Sequence, residues 1–474
     1  MANPLERLDV ALGDGIERAV AGHHRRRLRR LGWDHALDPP GTGLWADGEP
    51  QPREGNSLQV IVDGAEALPR IADDLERAQS SVLIAGWHFT PSFRLRPDGP
   101  SLRELLGDLA ERVDVRVLTW AGAPLPLFKP SRGDVRELRD TLTRGTRIRT
   151  ALDARERPMH CHHEKAIVVD DRVAWVGGID LTTLGGDRFD HSDHPARGAL
   201  GWHDVTTRTE GPLVGDVSAH LRMRWREVTG ERPEPPSASP PQGAVTAQLV
   251  RTVPERIYDA VPRGDFRILE TYLRALRSAR TLIYLESQFL WSPEVVAALE
   301  DKLRRPPSDE FRVVLLLPSK AKSGEDDTRG QLGRLVAADV DDRLLACTLY
   351  QRGHGKPVYV HAKVAIVDDM WLTVGSANLN EHSLFNDTEL NVVTCDAALA
   401  RATRLRLWRE HLERDDVDGP AHAVVDELWR PVAEEQLRRR LRGEPLTHRL
   451  ARLPHVSRRS RRLLGPIQSL LVDG

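Results

Sequence analysis

Two stretches of this chain carry the same residues in the same order, and they limit what it can fold into more than any other feature. His163-Glu164-Lys165-Ala166-Ile167-Val168-Val169-Asp170 reads His-x-Lys, four residues, Asp. The pattern returns at His361-Ala362-Lys363-Val364-Ala365-Ile366-Val367-Asp368. Each position of the second copy lies 198 residues after the first, and the register carries on to Gly177-Gly178-Ile179-Asp180 opposite Gly375-Ser376-Ala377-Asn378. One His-x-Lys pair is uninformative. Two in register, each on an apolar strand-like run and each followed by a glycine turn, mark an internal duplication.

The flanks repeat as well. The spacing predicts strands at 81–87 and, 200 residues later, at 281–288. It also predicts helices at 101–112 and 293–303, then strands at 113–120 and 311–317. Strands at 147–151 and 344–350 precede the two motif strands, and each half ends in a similar helix, with Arg224-Trp225-Arg226-Glu227 in one and Leu407-Trp408-Arg409-Glu410 in the other. Alternating strands and helices predict an α/β fold. The expected architecture is two mixed-sheet α/β halves packed about a pseudo-twofold axis with the active site between them. The boundaries read as a basic helical extension (1–55), a first half (56–230), a proline-rich linker (231–245), a second half (246–415) and a basic helical tail (416–474). Five prolines between 231 and 241 exclude helix and central strand there.

Side chains alternate across a strand, so His163 and Lys165 share one face, as do His361 and Lys363. Packing the halves about a twofold puts two imidazoles and two ammonium groups into one cleft. That set suits a phosphodiester: the lysines stabilise charge on the phosphoryl oxygens, one neutral imidazole attacks phosphorus, and the other, protonated, supplies the leaving oxygen with its proton. Asn378 and Ser376, with Asp180 and Gly178 at the matching positions of the first half, are the candidate phosphate contacts. Each imidazole needs a partner to fix its tautomer. Asp190, 27 residues after His163, and Glu389, 28 after His361, are the candidates. Asp170 and Asp368 complete the motifs and are grouped with the catalytic residues for that reason. Their odd offset from the histidines points them away from the cleft, toward ordering loops or holding neighbouring strands.

The paired motifs resemble those of the phospholipase D superfamily, over roughly residues 55–415. Gly201-Trp202-His203-Asp204-Val205, Tyr284-Leu285-Glu286-Ser287-Gln288-Phe289 and Asn386-Asp387-Thr388-Glu389-Leu390 resemble its phosphatidylcholine-cleaving branch. The resemblance implies hydrolysis of glycerophospholipids to phosphatidic acid through a phosphohistidine, with head-group exchange to alcohols. It implies His163 as nucleophile and His361 as general acid, with the roles open to exchange, and Lys165, Lys363 and Asn378 as phosphate ligands. A cardiolipin-synthase-like transferase, a nuclease and a catalytically inactive lipid sensor are the alternatives. The first is expected to carry N-terminal membrane helices, the second wants a basic cleft, and the third is disfavoured by intact His and Lys in both copies.

Composition sets the setting. A net charge of −2 gives no general pull toward polyanions, so no nucleic-acid partner is expected. Three cysteines make no disulfide framework. The N-terminus lacks the pattern of a signal peptide and no apolar run spans a bilayer, so the expectation is a cytoplasmic monomer acting on phospholipid at a membrane surface, with water or an alcohol as acceptor and no cofactor. The basic run His23 to Arg30 is read as a solvated helix face, with anionic lipid or nucleic acid as the alternative. Met159-His160-Cys161-His162-His163 has a metal-like composition, but its side chains alternate faces and His163 is already assigned, so no metal is expected. Residues 185–198 and 319–333, the latter with Lys320 and Lys322, are candidate rim loops.

Overall fold

The computed structural model describes residues 4–124, 129–183, 201–319, 325–353, 355–454 and 456. The first half builds one sheet. Strand Arg149–Asp153 lies parallel to Asp114–Trp120, which lies parallel to Ser81–Gly86; Ala166–Val169, Val173–Gly177, Val205–Glu210 and Arg53–Val62 then follow, each antiparallel to the one before. The second half repeats the order: Leu344–Tyr350, Arg312–Leu316, Leu282–Glu286, Val364–Val367, Trp371–Gly375, Glu389–Thr394 and Val245–Val253, with the same parallel and antiparallel pairings. The sheets join where Arg53 and Asn56 pair with Ala247 and Val245. The architecture is the duplicated α/β fold the motif spacing predicts.

The central strands are apolar on both faces because helices cover both. Helices Gly64–Glu76 and Leu102–Ala110 bury their leucines on one face of the first sheet, and Leu213–Thr229 covers the other. Ser101 and Glu104 start the second of these with a reciprocal capping box. Helices Arg267–Ser278 and Pro293–Arg304 repeat the scheme, with Ala397–Leu412 on the opposite side.

Pairing refines the sequence register. Val82 faces Val169 as Ile283 faces Val367, so the flanking strands are offset by 201 residues, one more than the sequence match suggested. Helix Arg132–Thr143 was not read from the sequence, and the proposed rim loop at 319–333 is helical from Glu325 onward, within Glu325–Ala338. Lys320, Lys322 and residues 185–198 lie outside the described residues, as does the basic run after Arg458.

The N-terminal basic run is a largely solvated helix face, as the sequence reading has it, with only His24 and Arg27 of its basic residues turned inward. It lies in a helix, Pro4–Leu31, docked on the second half. His24 stacks on Phe385 at 3.8 Å and bonds Glu294, while Arg27 is buried and pairs with Glu255 and Asn386; Arg25, Arg26, Arg29 and Arg30 stay exposed. Beyond the last helix of the second half, Trp429 is fully buried against Tyr284 and Trp408, so this part of the tail is docked. No helix among the described residues is long and apolar enough to cross a membrane.

Asp170 and Asp368 sit at the far ends of the motif strands and do not belong with the catalytic residues. Asp170 accepts the backbone N–H groups of Gln79, Ser80 and Ser81 and the Ser80 hydroxyl; Asp368 accepts those of Arg280, Thr281 and Leu282 and the Thr281 hydroxyl. Each fastens the turn that opens the neighbouring antiparallel strand. Asp170→Ala and Asp368→Ala are therefore expected to lower stability by about 2 kcal/mol each, since several charge-assisted bonds are lost at once. The check is the urea midpoint; an unchanged midpoint with lost turnover would contradict the structural role.

Candidate active site

Each motif histidine lies just before its strand, in a segment held by the other half of the molecule. His163 N–H donates to Thr388 O at 3.0 Å, and His361 N–H to His203 O at 2.8 Å. Around the second contact, Val358 to Val360 run parallel to Gly201 to His203; around the first, His162 bridges Thr388. The duplication thus brings the two motifs to one seam, where each is fixed by its partner's backbone.

The residue following each of these backbone acceptors orients the imidazole. His163 Nδ1 lies 3.0 Å from Glu389 Oε1, and His361 Nδ1 lies 2.7 Å from Asp204 Oδ2. The pairing is crossed between halves. This corrects the expectation that Glu389 serves His361. Asp190, proposed for His163, lies outside the described residues, and Glu389 already fills that place. Asp204, which the sequence reading quoted without a role, is the structural counterpart of Glu389: both stand at the start of the strand that pairs with the one following the motif. The sequence signal was available by counting back from that strand rather than forward from the histidine.

The lysines are buried and face the same seam. Lys165 Nζ donates to His163 O at 2.7 Å and lies 3.8 Å from Asp180 Oδ2. Lys363 Nζ donates to His361 O and, at 3.3 Å, to Gln288 Oε1. Asn378 Nδ2 donates to the same Gln288 oxygen at 3.4 Å, and Asn378 Oδ1 is buried without a hydrogen-bond partner. Tyr359 lies 2.9 Å from Gln288 Nε2. Gln288, Tyr359 and Asp204 are the contributors that the motifs alone do not reveal. Trp202 stacks on Tyr359 and packs 5.2 Å from the His361 ring.

Three proposed phosphate contacts are otherwise engaged. Ser376 Oγ donates to Glu389, as does Ser383 Oγ, so Ser376 supports His163's partner rather than substrate. A Cβ on Gly178 would stand 2.0 Å from Asp204 Oδ1, so glycine there makes room for the carboxylate that holds His361. Asp180 accepts the N–H groups of Trp87 and His88 and faces Lys165, which leaves Asn378 as the neutral contact of its pair. Cys161 is buried beside Trp120 and Ala123, and His162 is held between Thr388 and Asp153.

The electrostatics are asymmetric. Burial first, then Lys363 and Lys165, push the His361 imidazole down to about 3, so it is neutral in the empty cleft. Burial works to raise the Asp204 carboxyl, but His361 and Lys363 outweigh it and hold it below the usual range. Burial raises Glu389 to about 8 and Asp180 to about 6, in both cases against the pull of Lys165. Lys165 thus acts on His361, on Glu389 and on Asp180, which joins the lysine of one motif to the histidine of the other. An anion between the lysines would offset their positive charge and favour protonated imidazole.

Residues 272–409 match the family model described as "Cardiolipin synthase, PLD-like domain". The chain is 25% identical to phospholipase D A of Dictyostelium discoideum over 79% of its own length and 37% of that protein's. It is 24% identical to the major cardiolipin synthase ClsA of Bacillus subtilis (strain 168), covering 73% of this chain and 67% of that one. The chain thus spans little more than a third of the Dictyostelium protein. Among solved structures, the phosphatidylserine synthase of Haemophilus influenzae Rd KW20 superposes with a TM-score of 0.53 at 12% identity, over 83% of this chain and 96% of that one, a likeness of fold.

Proposed function

We propose that this chain, which belongs to the phospholipase D superfamily, cleaves the head-group phosphodiester of glycerophospholipids and passes the phosphatidyl group to water or an alcohol. The observation that carries this reading is the crossed pair of His–carboxylate couples, His163–Glu389 and His361–Asp204, with a buried lysine beside each. A carboxylate on Nδ1 leaves Nε2 as the working nitrogen of each imidazole.

In this reading His163 Nε2 attacks phosphorus, the bond from phosphorus to the head-group oxygen breaks, and His361 gives that oxygen its proton. Lys165, Lys363 and Asn378 hold the phosphoryl oxygens as charge builds on them. His361, now neutral, takes a proton from water or an alcohol, which attacks the phosphohistidine and releases phosphatidic acid or a phosphatidyl-alcohol with His163 restored. The substrate anion supplies what His361 lacks in the empty cleft, the negative charge that keeps it protonated.

The matched family description and the Bacillus relative favour one variant of this reading, in which the acceptor alcohol is itself a phospholipid head group. One experiment covers both. Purified protein is incubated with phosphatidylcholine vesicles containing a primary alcohol, and in parallel with phosphatidylglycerol vesicles, with products read by mass spectrometry. Phosphatidic acid and phosphatidyl-alcohol from the first support phospholipase D chemistry; cardiolipin from the second supports the transferase. Absence of any product from both lipids overturns the lipid assignment.

A further inference from the structure

One side-chain cluster at the seam takes no part in this chemistry. His160 Nδ1 and His382 Nδ1 are 2.9 Å apart, and His160 Nδ1 is 3.5 Å from Asp387 Oδ1. The three donor atoms lie within 4.8 Å of one another. His160 comes from the first half, and His382 and Asp387 from the second.

Ordinary hydrogen bonding accounts poorly for this arrangement. Asp387 Oδ1 accepts the Cys161 N–H at 2.8 Å, but Asp387 Oδ2 is buried without a hydrogen-bond partner, although the residue is only 1% exposed. A buried carboxylate oxygen without a donor is costly unless a cation answers it. The two other histidine–carboxylate groups among the described residues share His203. In these, His203 is bonded on both ring nitrogens, to Asp63 and Glu286, and Glu286 also binds His411. In that group the atom left without a partner is a ring nitrogen, His411 Nδ1, whereas in the His160 group it is a carboxylate oxygen.

The backbone also presents the triad. His382 opens a π-helical turn, His382–Asn386, closed by Asp387 N–H on His382 O at 2.8 Å. Such turns recur at functional sites because they re-aim side chains. Met159, just before His160, is held at φ 67, which is uncommon for a residue with a side chain. Bonds of about 2.0–2.2 Å in a tetrahedral zinc site place neighbouring donor atoms roughly 3.3 Å apart, and the separations of 2.9 and 3.5 Å bracket that value.

We propose that His160 Nδ1, His382 Nδ1 and Asp387 form a binding site for one divalent transition-metal ion, of the zinc class, that clamps the two halves beside the catalytic seam. Two imidazoles and one carboxylate suit that class rather than calcium or magnesium, which take oxygen ligands. The His160 side chain is 17% exposed, which gives an ion a path in and leaves room for water as the fourth ligand. Arg157 is the nearby cation, and Glu255 pairs with it at 3.0 Å. The ion would not touch the phosphate. It would fix the segments leading to His163 on one side and to Glu389 on the other, and so position the nucleophile and its partner.

The full chain, stripped with chelator and dialysed, is titrated with Co2+ and followed by visible d–d absorption, then with Zn2+ by calorimetry. The expected result is one ion per chain with the band intensity of a four-coordinate site, and a raised melting temperature on loading. His160→Gln and Asp387→Asn should each weaken binding by more than about tenfold, while His448→Gln, at a histidine whose ring bonds Leu412 O, should not. Circular dichroism establishes that each variant is folded. His160, being partly exposed, provides the variant least dependent on packing. No binding by the folded wild type, or binding that persists unchanged in folded His160→Gln, overturns the proposal.

Discussion

His163→Ala and His361→Ala should each lower kcat/KM for a phospholipid by about 10^4-fold or more, because each removes a group that forms or breaks a covalent bond. The two variants should then part company on an activated substrate. A phosphodiester with a nitrophenol leaving group needs little help from an acid. His361→Ala should still form the phosphoenzyme with it, and an adduct on His163 that survives an alkaline quench but is lost in acid should accumulate because the base for the second step is missing. His163→Ala should form none. The opposite result, phosphoenzyme only in His163→Ala, would exchange the roles. The neutral state of His361 in the empty cleft makes this a real contest, since a general acid has to gain its proton on substrate binding. His361 also leaves a mark on stability. Its folded value is depressed from 6.5 to about 3, so between those values the unfolded chain binds a proton that the folded chain does not. Stability is therefore lost as pH falls from about 6.5 toward 3. His361→Ala should flatten that part of the acid limb, measured as the urea midpoint against pH.

What the sequence revealed and what it hid divide along a physical line. The apolar strands, the glycine turns and the His-x-Lys copies are local patterns, and an in-register repeat makes them legible without any contact map. The fold class and the meeting of the motifs followed from these. Which carboxylate serves which histidine is a tertiary fact. The register of 198 residues holds through Gly178 and Ser376 but breaks before Asp204 and Glu389, because the first half has a longer connection between the equivalent strands. Counting onward from His163 therefore pointed to Asp190 instead. Gly178 and Ser376 hold matching positions, yet one yields space to Asp204 and the other donates to Glu389, a difference visible only once those carboxylates are placed. The basic N-terminal run was legible as a helix face but not as a docked one: composition counts its arginines but not Glu294, Glu255 and Phe385, which receive His24 and Arg27.

Asp204→Asn and Glu389→Gln should each cost about 10^2- to 10^4-fold in kcat, the range expected when an imidazole loses the carboxyl acceptor that fixes its tautomer. The amide keeps the size of the side chain but offers N–H as readily as C=O. It can donate to Nδ1 and drive the ring proton onto Nε2, the atom that has to attack phosphorus or collect a proton. KM should move little, because neither carboxylate is among the proposed phosphate ligands. A purely structural defect would instead lower the melting temperature and the active fraction without changing kcat per active site. The crossed wiring gives a sharper test. With histidines labelled on the ring nitrogens, Asp204→Asn should remove or shift the Nδ1–H resonance of His361 and leave that of His163, and Glu389→Gln should do the reverse. If each carboxylate were coupled to the histidine of its own half, the assignments would exchange. The outcome bears on how the duplication works. With the carboxylates crossed, neither half holds a complete His–carboxylate couple, so catalysis depends on both halves meeting at the seam.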